Sequence, residues 1–174
     1  MIALLGVTLG LGQLYISGFG GTALERQRFN GLELAVPRDW TMVVDADETT
    51  WRLRDPDLSG RRLQIARIED PEALIQTDPA PGAEAEIEVA GRTWQITGYE
   101  HSSIGNKVHV GVLAILPAGE TDHADAWIIG LDETARIHQR HADNPRRRAE
   151  IRRDRLNENF SLITRICRSA RWPD

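Results

Sequence analysis

The histidines are the first residues whose spacing suggests chemistry. His138 and His141 form an H-x-x-H pair, and His123 lies between Asp122 and Asp125. Imidazole and carboxylate groups are common metal ligands, and two histidines three residues apart on a helix would share one face. The local pattern favours a strand at residues 134–141, on which their side chains would point to opposite faces. We therefore predict solvated histidines and no metal ligand.

Nucleophile and carboxylate candidates are also weak. Residues 101–103 read His-Ser-Ser, but no G-x-S-x-G surrounds them, and Cys167 falls on an apolar helical stripe that is typical of a buried small hydrophobe. Carboxylates two residues apart could perform acid–base work, yet that spacing is typical of the solvent face of a strand. Such sets are Asp45 with Asp47, and Glu84 with Glu86 and Glu88. The sequence predicts no catalytic residue and no cofactor.

Arginines are the strongest candidates for binding a partner. Residues 136–174 hold eleven arginines against five acids, whereas residues 1–135 are strongly acidic. Such a cluster could contact nucleic acid, anionic lipid or an acidic protein. A net charge of −5 and the lack of aromatic residues among these arginines argue against nucleic acid. We predict contacts to a protein partner or to the domain's own acids. The candidates are Arg146, Arg147, Arg148, Arg152, Arg153 and Arg155.

The N-terminal residues 1–24 contain no ionisable side chain and are rich in aliphatic residues and glycine. This stretch is long enough to cross a bilayer, so we predict a membrane anchor or signal segment, followed by a single domain at residues 25–174. A cleaved signal ending at Ala23 and a buried strand–turn segment stay open as alternatives. The arginines that follow would favour a cytoplasmic domain, but we expect a periplasmic one, as in many small single-span bacterial proteins.

Hydrophobic periodicity predicts the fold class. Alternating apolar residues indicate strands along most of residues 29–131, with a hairpin around Ala90-Gly91 and a further hairpin turning at Asp132-Glu133. Asp70-Pro71 starts a short predicted helix, and Asn144-Pro145 starts a long one, over about residues 145–169. We predict an α+β fold, a central antiparallel sheet covered by the long C-terminal helix and preceded by the apolar transmembrane or signal segment.

Two short motifs point to a family. The passage from Phe29 to Trp40 runs a strand into a P-x-x-W corner, and Ser169 with Trp172 forms S-x-x-W after the last helix. In both respects the chain resembles the PsbP-like α/β/α sandwiches, including the small DcrB-type bacterial envelope proteins. That resemblance implies a non-enzymatic domain that attaches to a larger membrane or envelope assembly.

Three functions follow as hypotheses. The first is a membrane-anchored, extracytoplasmic binding module or accessory subunit of a membrane or envelope complex. The second is an immunity-type inhibitor of a secreted toxin, in which the acidic portion mimics an anionic ligand. The third is a small hydrolase or metal-dependent enzyme, which would require His123, His138 or His141 to converge with carboxylates in a pocket.

Overall fold

A computed structural model describes residues 22–45, 49–56, 60–68, 79–101, 106–117 and 126–172. The strands are β1 (Leu24–Phe29), β2 (Leu32–Pro37), β3 (Thr41–Val44), β4 (Thr50–Arg54), β5 (Arg61–Ile68), β6 (Pro79–Val89), β7 (Arg92–His101), β8 (Lys107–Leu116) and β9 (Ala126–Arg136). The helices are α1 (Gln139–Ala142) and α2 (Pro145–Arg168).

Seven of the strands form one antiparallel sheet in the order β3-β4-β5-β9-β8-β7-β6, and β1 pairs with β2 in a separate hairpin. Alternate residues of the central strands are fully buried on one face, such as Ile65, Ile129, Val112 and Ile96. We call this the helix face, because α2 packs on it. The opposite face carries a smaller buried cluster of Ala66, Ile115, Ala126 and Ile128. The outer strand β4 alternates buried and exposed residues, whereas the central strands β8 and β9 are buried on both faces over part of their length and carry near-continuous apolar runs.

Helix α2 and the β1–β2 hairpin together cover the helix face. The hairpin packs Phe29 edge-on against Trp51 of β4, with ring centroids 5.3 Å apart. Backbone hydrogen bonds tie β2 to the chain just after α2, because Glu33 and Arg171 each donate to the other's carbonyl, at 2.8 and 2.9 Å. The Ser169 hydroxyl also accepts from the Ala35 amide at 2.7 Å. Hairpin and helix therefore form one continuous layer.

The predicted fold class is wrong. Strands hold 57% and helices 23% of the described residues, so this part of the chain is mostly β rather than α+β. One reason is β9, which continues through Asp132 and Glu133 instead of turning there. The Asp132 carboxylate accepts from the Tyr99 hydroxyl, and Glu133 is buried against two arginines, so both acids are satisfied within a strand. The chain leaves the sheet only after Arg136.

The predicted N-terminal segment falls almost wholly outside the described residues, since residues 1–21 are not among them and Leu24 already begins β1. Among the helices that are described, none combines the length and the apolar character that crossing a bilayer requires. The short helix predicted from Pro71 to Gln76 also lies outside the described residues. The predicted C-terminal helix is found at Pro145–Arg168.

Gly60 should be the least replaceable glycine of the described turns. Its φ is +78°, and a Cβ there would lie 2.5 Å from the Thr134 carbonyl oxygen. We expect Gly60→Ala to lower the free energy of unfolding by about 2–3 kcal/mol, because backbone strain adds to a clash with rigid backbone. Gly31 is the matched control, since its φ is +85° but no atom lies within 4 Å of its Cβ position.

Urea denaturation followed by tryptophan fluorescence would measure both variants. Gly31→Ala should cost about 1 kcal/mol, the strain alone. Equal losses at the two positions would show that the contact between Gly60 and β9 is not as described.

Candidate functional site

Helix α2 positions all six candidate arginines. Asn144 caps its N-terminus by accepting a hydrogen bond from the Arg147 amide at 3.0 Å, and Pro145 occupies the first helical position. The buried stripe of α2 includes Leu156, Asn159 and Ile163, which face the sheet. The cap fixes where the helix begins, and the spacing of the residues decides which arginines lie in line with that stripe.

Three arginines continue the buried stripe towards the N-terminus. Arg148 and Arg152 precede Leu156 at spacings of four, and Arg155 precedes Asn159 by four, so these side chains share the sheet-facing side of the helix. All three are half-buried. Their side chains therefore project from the side of α2 that faces the sheet or its margin.

Arg152 and Arg155 fasten the helix to the sheet. Arg152 Nη1 lies 2.6 Å from Glu100 Oε2 of β7. Arg155 Nε lies 3.7 Å from Glu133 Oε1 of β9, whose other oxygen lies 3.1 Å from Arg61 Nε. The Glu133 side chain is only 1% exposed, so this carboxylate needs both cations. These two arginines have a structural role, as contacts to the domain's own acids.

The remaining three arginines face solvent. Arg146 and Arg153 lie two turns apart on one side of α2, and Arg147 lies beside them. The Arg146 side chain is 91% exposed. Glu150 is half-exposed between them, 3.5 Å from Arg146 and 3.0 Å from Arg147, and the hydrogen bond from Arg147 lowers its pKa. Glu150 therefore pairs with two of these three cations.

Helix α1 adds further positive charge at the same end of the molecule. Arg140 is exposed, and its Nε donates to His141 Nε2 at 3.0 Å. Loss of hydration lowers the pKa of His141, and the charges of Arg140 and Arg147 lower it further. We define Arg140, Arg146, Arg147 and Arg153 as the basic end.

The prediction that His138 and His141 point to opposite faces of a strand is wrong. The strand ends at Arg136, His138 caps α1 by accepting from the Arg140 amide, and the two imidazole centroids lie 6.4 Å apart. Within the described ranges, no three histidine, cysteine, aspartate or glutamate side chains gather closely enough to hold a metal ion. His123, Asp122 and Asp125 lie outside those ranges.

The other candidate chemical groups are dispersed. Cys167 is fully buried in the core and burial raises the pKa of its thiol, which makes it a poor nucleophile. Asp45 is bound by Arg52 at 2.5 Å. Glu84, Glu86 and Glu88 are exposed along one side of β6. Asp47, Ser102, Ser103 and the His101 side chain lie outside the described part of the chain.

Sequence reasoning missed a polar group on the opposite face of the sheet. The Tyr99 ring lies over Gly111 of β8, and its hydroxyl donates to Asp132 of β9 at 2.5 Å. In the next row, His109 Nδ1 and the Thr134 hydroxyl lie 2.9 Å apart. Burial and the Asp132 charge raise the pKa of Tyr99, so its hydroxyl stays protonated and donates a fixed hydrogen bond. Only the strand register reveals these pairs.

The chain is similar to solved structures but to no known family model or curated protein. No protein-family model matches the chain. No curated protein matches it either. Among solved structures, the solution structure of cyanobacterial PsbP (CyanoP) from Synechocystis sp. PCC 6803 is similar, with a TM-score of 0.46 and 12% identity over 90% of this chain and 96% of that one.

That structure is a PsbP protein, the type that the two sequence motifs resemble. A likeness of this size assigns neither a family nor a function to the chain. The DcrB-type part of the resemblance stays a prediction.

Proposed function

We propose that this domain is a non-enzymatic binding module, an accessory subunit that docks an acidic surface of a protein partner on the basic end. The observation that carries this proposal is that some arginines of α2 pair with acids of the sheet while others face solvent. Arg152 and Arg155 are engaged by Glu100 and Glu133 of the domain itself, whereas Arg146 and Arg153 face solvent. The first pair holds α2 on the sheet. Arg146 and Arg153 lie on the solvent side, where among the described residues Arg146 contacts only the half-exposed Glu150 of its own helix, so both guanidinium groups are accessible to a partner.

A protein partner suits this group better than nucleic acid does. Guanidinium groups bind carboxylates with two parallel hydrogen bonds, and a rigid helix presents them at fixed spacing. The chain as a whole carries a net charge of −5, which would repel a polyanion away from this end. A compact acidic patch on a protein avoids that repulsion because it covers only the basic end.

The cellular location that we propose for the domain is inferred from its sequence. Residues 1–24 carry no ionisable side chain, and we propose that the stretch before β1, residues 1–21, tethers the domain to a membrane, with the domain in the periplasm. Tethering would confine docking to partners at the same membrane and raise their effective concentration. The natural partner is therefore a subunit of a membrane or envelope complex.

Mild-detergent affinity purification of the tagged full-length protein from its native membranes would test this proposal. Arg146→Glu combined with Arg153→Glu should reduce the retained partner at least about tenfold, because four units of charge change at the docking surface. Arg54→Glu with Arg62→Glu is the matched control, since both residues are exposed, lie opposite each other on β4 and β5, and give the same net change. The control should retain the partner in full.

Intact-mass analysis of the same samples would test the tether. An unprocessed N-terminus together with a stoichiometric membrane partner supports the proposal. A processed N-terminus with no retained partner, or equal losses in both double variants, contradicts it.

A second candidate is an immunity-type inhibitor, which the three exposed glutamates of β6 favour. Glu84, Glu86 and Glu88 form an anionic row on an edge strand, as a mimic of an anionic ligand would require. This candidate predicts that reversing the glutamates, and not the arginines, abolishes capture of a single secreted basic protein.

A further inference from the structure

The strand β3 has an exposed apolar edge. It is the last strand of the seven-stranded sheet, and among the described residues β4 is its one pairing partner. Met42, Val43 and Val44 are 41%, 55% and 40% exposed, and they are the large hydrophobic residues that are exposed in the described part of the chain. An uncharged edge of this kind is a template for pairing with another strand.

The opposite edge of the sheet is built differently. Strand β6 alternates the exposed residues Glu84, Glu86 and Glu88 with residues that pack towards the core. Two such edges brought together would place like charges opposite each other, which disfavours pairing. The two edges therefore differ in their capacity for self-association, and β3 is the one that lacks protecting charges.

Backbone geometry fixes how a partner strand would meet β3. The Asp45 amide donates to the Thr50 carbonyl at 3.0 Å, so the backbone groups of Asp45 point towards β4. Because these groups alternate along a strand, those of Thr41 and Val43 also point towards β4. The amide and carbonyl groups of Met42 and Val44 then point to the open edge.

We propose that β3 pairs with β3 of a second copy of this chain, antiparallel and about a two-fold axis through Val43. Met42 of each copy then exchanges two backbone hydrogen bonds with Val44 of the other, which satisfies all the edge groups identified above. Val43 meets its own counterpart in the intervening non-hydrogen-bonded pair. This register also keeps the helix face of both copies on the same side of one continuous sheet.

The charges near the edge fit a second copy. Thr41 of each copy would lie opposite Asp45 of the other, and each Asp45 carboxylate is already bound by Arg52 of its own chain. No like charges meet within the paired strands. A four-residue edge buries far less than the roughly 800 Å² per partner of a standard interface, so the dimer is weak and forms at high concentration.

Disulfide trapping of the full-length protein would test this register. In Val43→Cys the two Cα atoms would lie about 4.5 Å apart, within the range that a disulfide requires. In the control, Thr41→Cys, the two engineered cysteines would lie more than about 13 Å apart. The native Cys167 is fully buried. Under mild oxidation, Val43→Cys should form covalent dimer at least about fivefold faster than Thr41→Cys.

Sedimentation of the untrapped protein gives an independent measurement. The wild type should show a dimer fraction that rises with concentration, and Val43→Lys should stay monomeric, whereas Thr93→Lys, an exposed change on β7, should behave as wild type. Equal trapping of the two cysteine variants would overturn the proposal. So would a wild-type monomer at all concentrations with no trapping of Val43→Cys.

Discussion

Replacing Ile163 by alanine should lower the free energy of unfolding by about 3–4 kcal/mol, measured by urea denaturation of the full-length protein. Ile163 is fully buried on α2 and belongs to the main core cluster, together with Leu131 and Val112 of the sheet. The loss combines the transfer of the missing methyl groups with the cavity that they leave, and such substitutions cost about 2–5 kcal/mol. This change would remove a large fraction of the free energy of unfolding of an ordinary domain, which is about 5–15 kcal/mol.

Ser161→Ala is the matched control, since Ser161 is exposed two residues earlier on the same helix. This change should alter the free energy of unfolding by less than about 0.5 kcal/mol. A loss below about 1 kcal/mol for Ile163→Ala would contradict the packing of α2 on the sheet, because the side chain would then have to be in solvent.

Glu133→Gln should lower the free energy of unfolding by about 2–4 kcal/mol. The Glu133 carboxylate lies between Arg61 and Arg155, and the Arg61 side chain is only 16% exposed. Removing the charge leaves the Arg61 guanidinium short of its buried counter-ion, which costs more than the ion pair itself contributes. The main effect is on the fold, through the attachment of α2 to β5 and β9.

Glu158→Gln is a close control, because Glu158 contacts the same two arginines, at 2.6 and 3.0 Å, but its side chain is 54% exposed. We expect a loss below about 1 kcal/mol for that change, since solvent screens an exposed pair. The double variant Glu133→Leu with Arg61→Leu should recover much of the stability that Glu133→Gln loses, because no buried charge is then left alone. Similar losses for Glu133→Gln and Glu158→Gln would show that Glu133 is not buried as described.

Short sequence patterns predicted the helix start and one of the turns, because both depend on residues that are neighbours in the chain. Asn144-Pro145 marks the start of α2 as a cap and a first helical position, and the apolar stripe marks its sheet-facing side. The Ala90-Gly91 turn was also predicted, and φ is positive at both residues. The Asn30-Gly31 turn was overlooked inside a single predicted strand, although both residues have positive φ and Asn-Gly is a common hairpin turn.

The features that the sequence did not predict depend on pairing between strands that are far apart in the chain. Asp132-Glu133 looks like a turn until Tyr99 and Arg61, which lie far away in the chain, are placed beside it. The order of strands decides that β3 and β6 are edges, and no local pattern states that order. Cross-strand partners such as Tyr99 and Asp132 therefore became visible only with the register.

The sequence predicted the candidate site as a set of six arginines. It did not predict which of them would pair with acids of the domain and which would face solvent. Spacings of four from Leu156 and Asn159 place Arg148, Arg152 and Arg155 in line with the buried stripe, a signal that was available in the sequence. Their counter-ions, Glu100 and Glu133, were not predictable, because each comes from a strand more than twenty residues away. The solvent-facing arginines are thus the part of the prediction that stays open to a partner.

The most direct test of the basic end is the affinity of the purified full-length protein for its co-purified partner, measured by calorimetry at several salt concentrations. Arg146→Glu with Arg153→Glu should weaken binding at least about tenfold, and rising salt should weaken wild-type binding far more than binding by this variant. Unchanged affinity in that variant, or an equal loss in Arg54→Glu with Arg62→Glu, would contradict the assignment of the basic end as the docking surface.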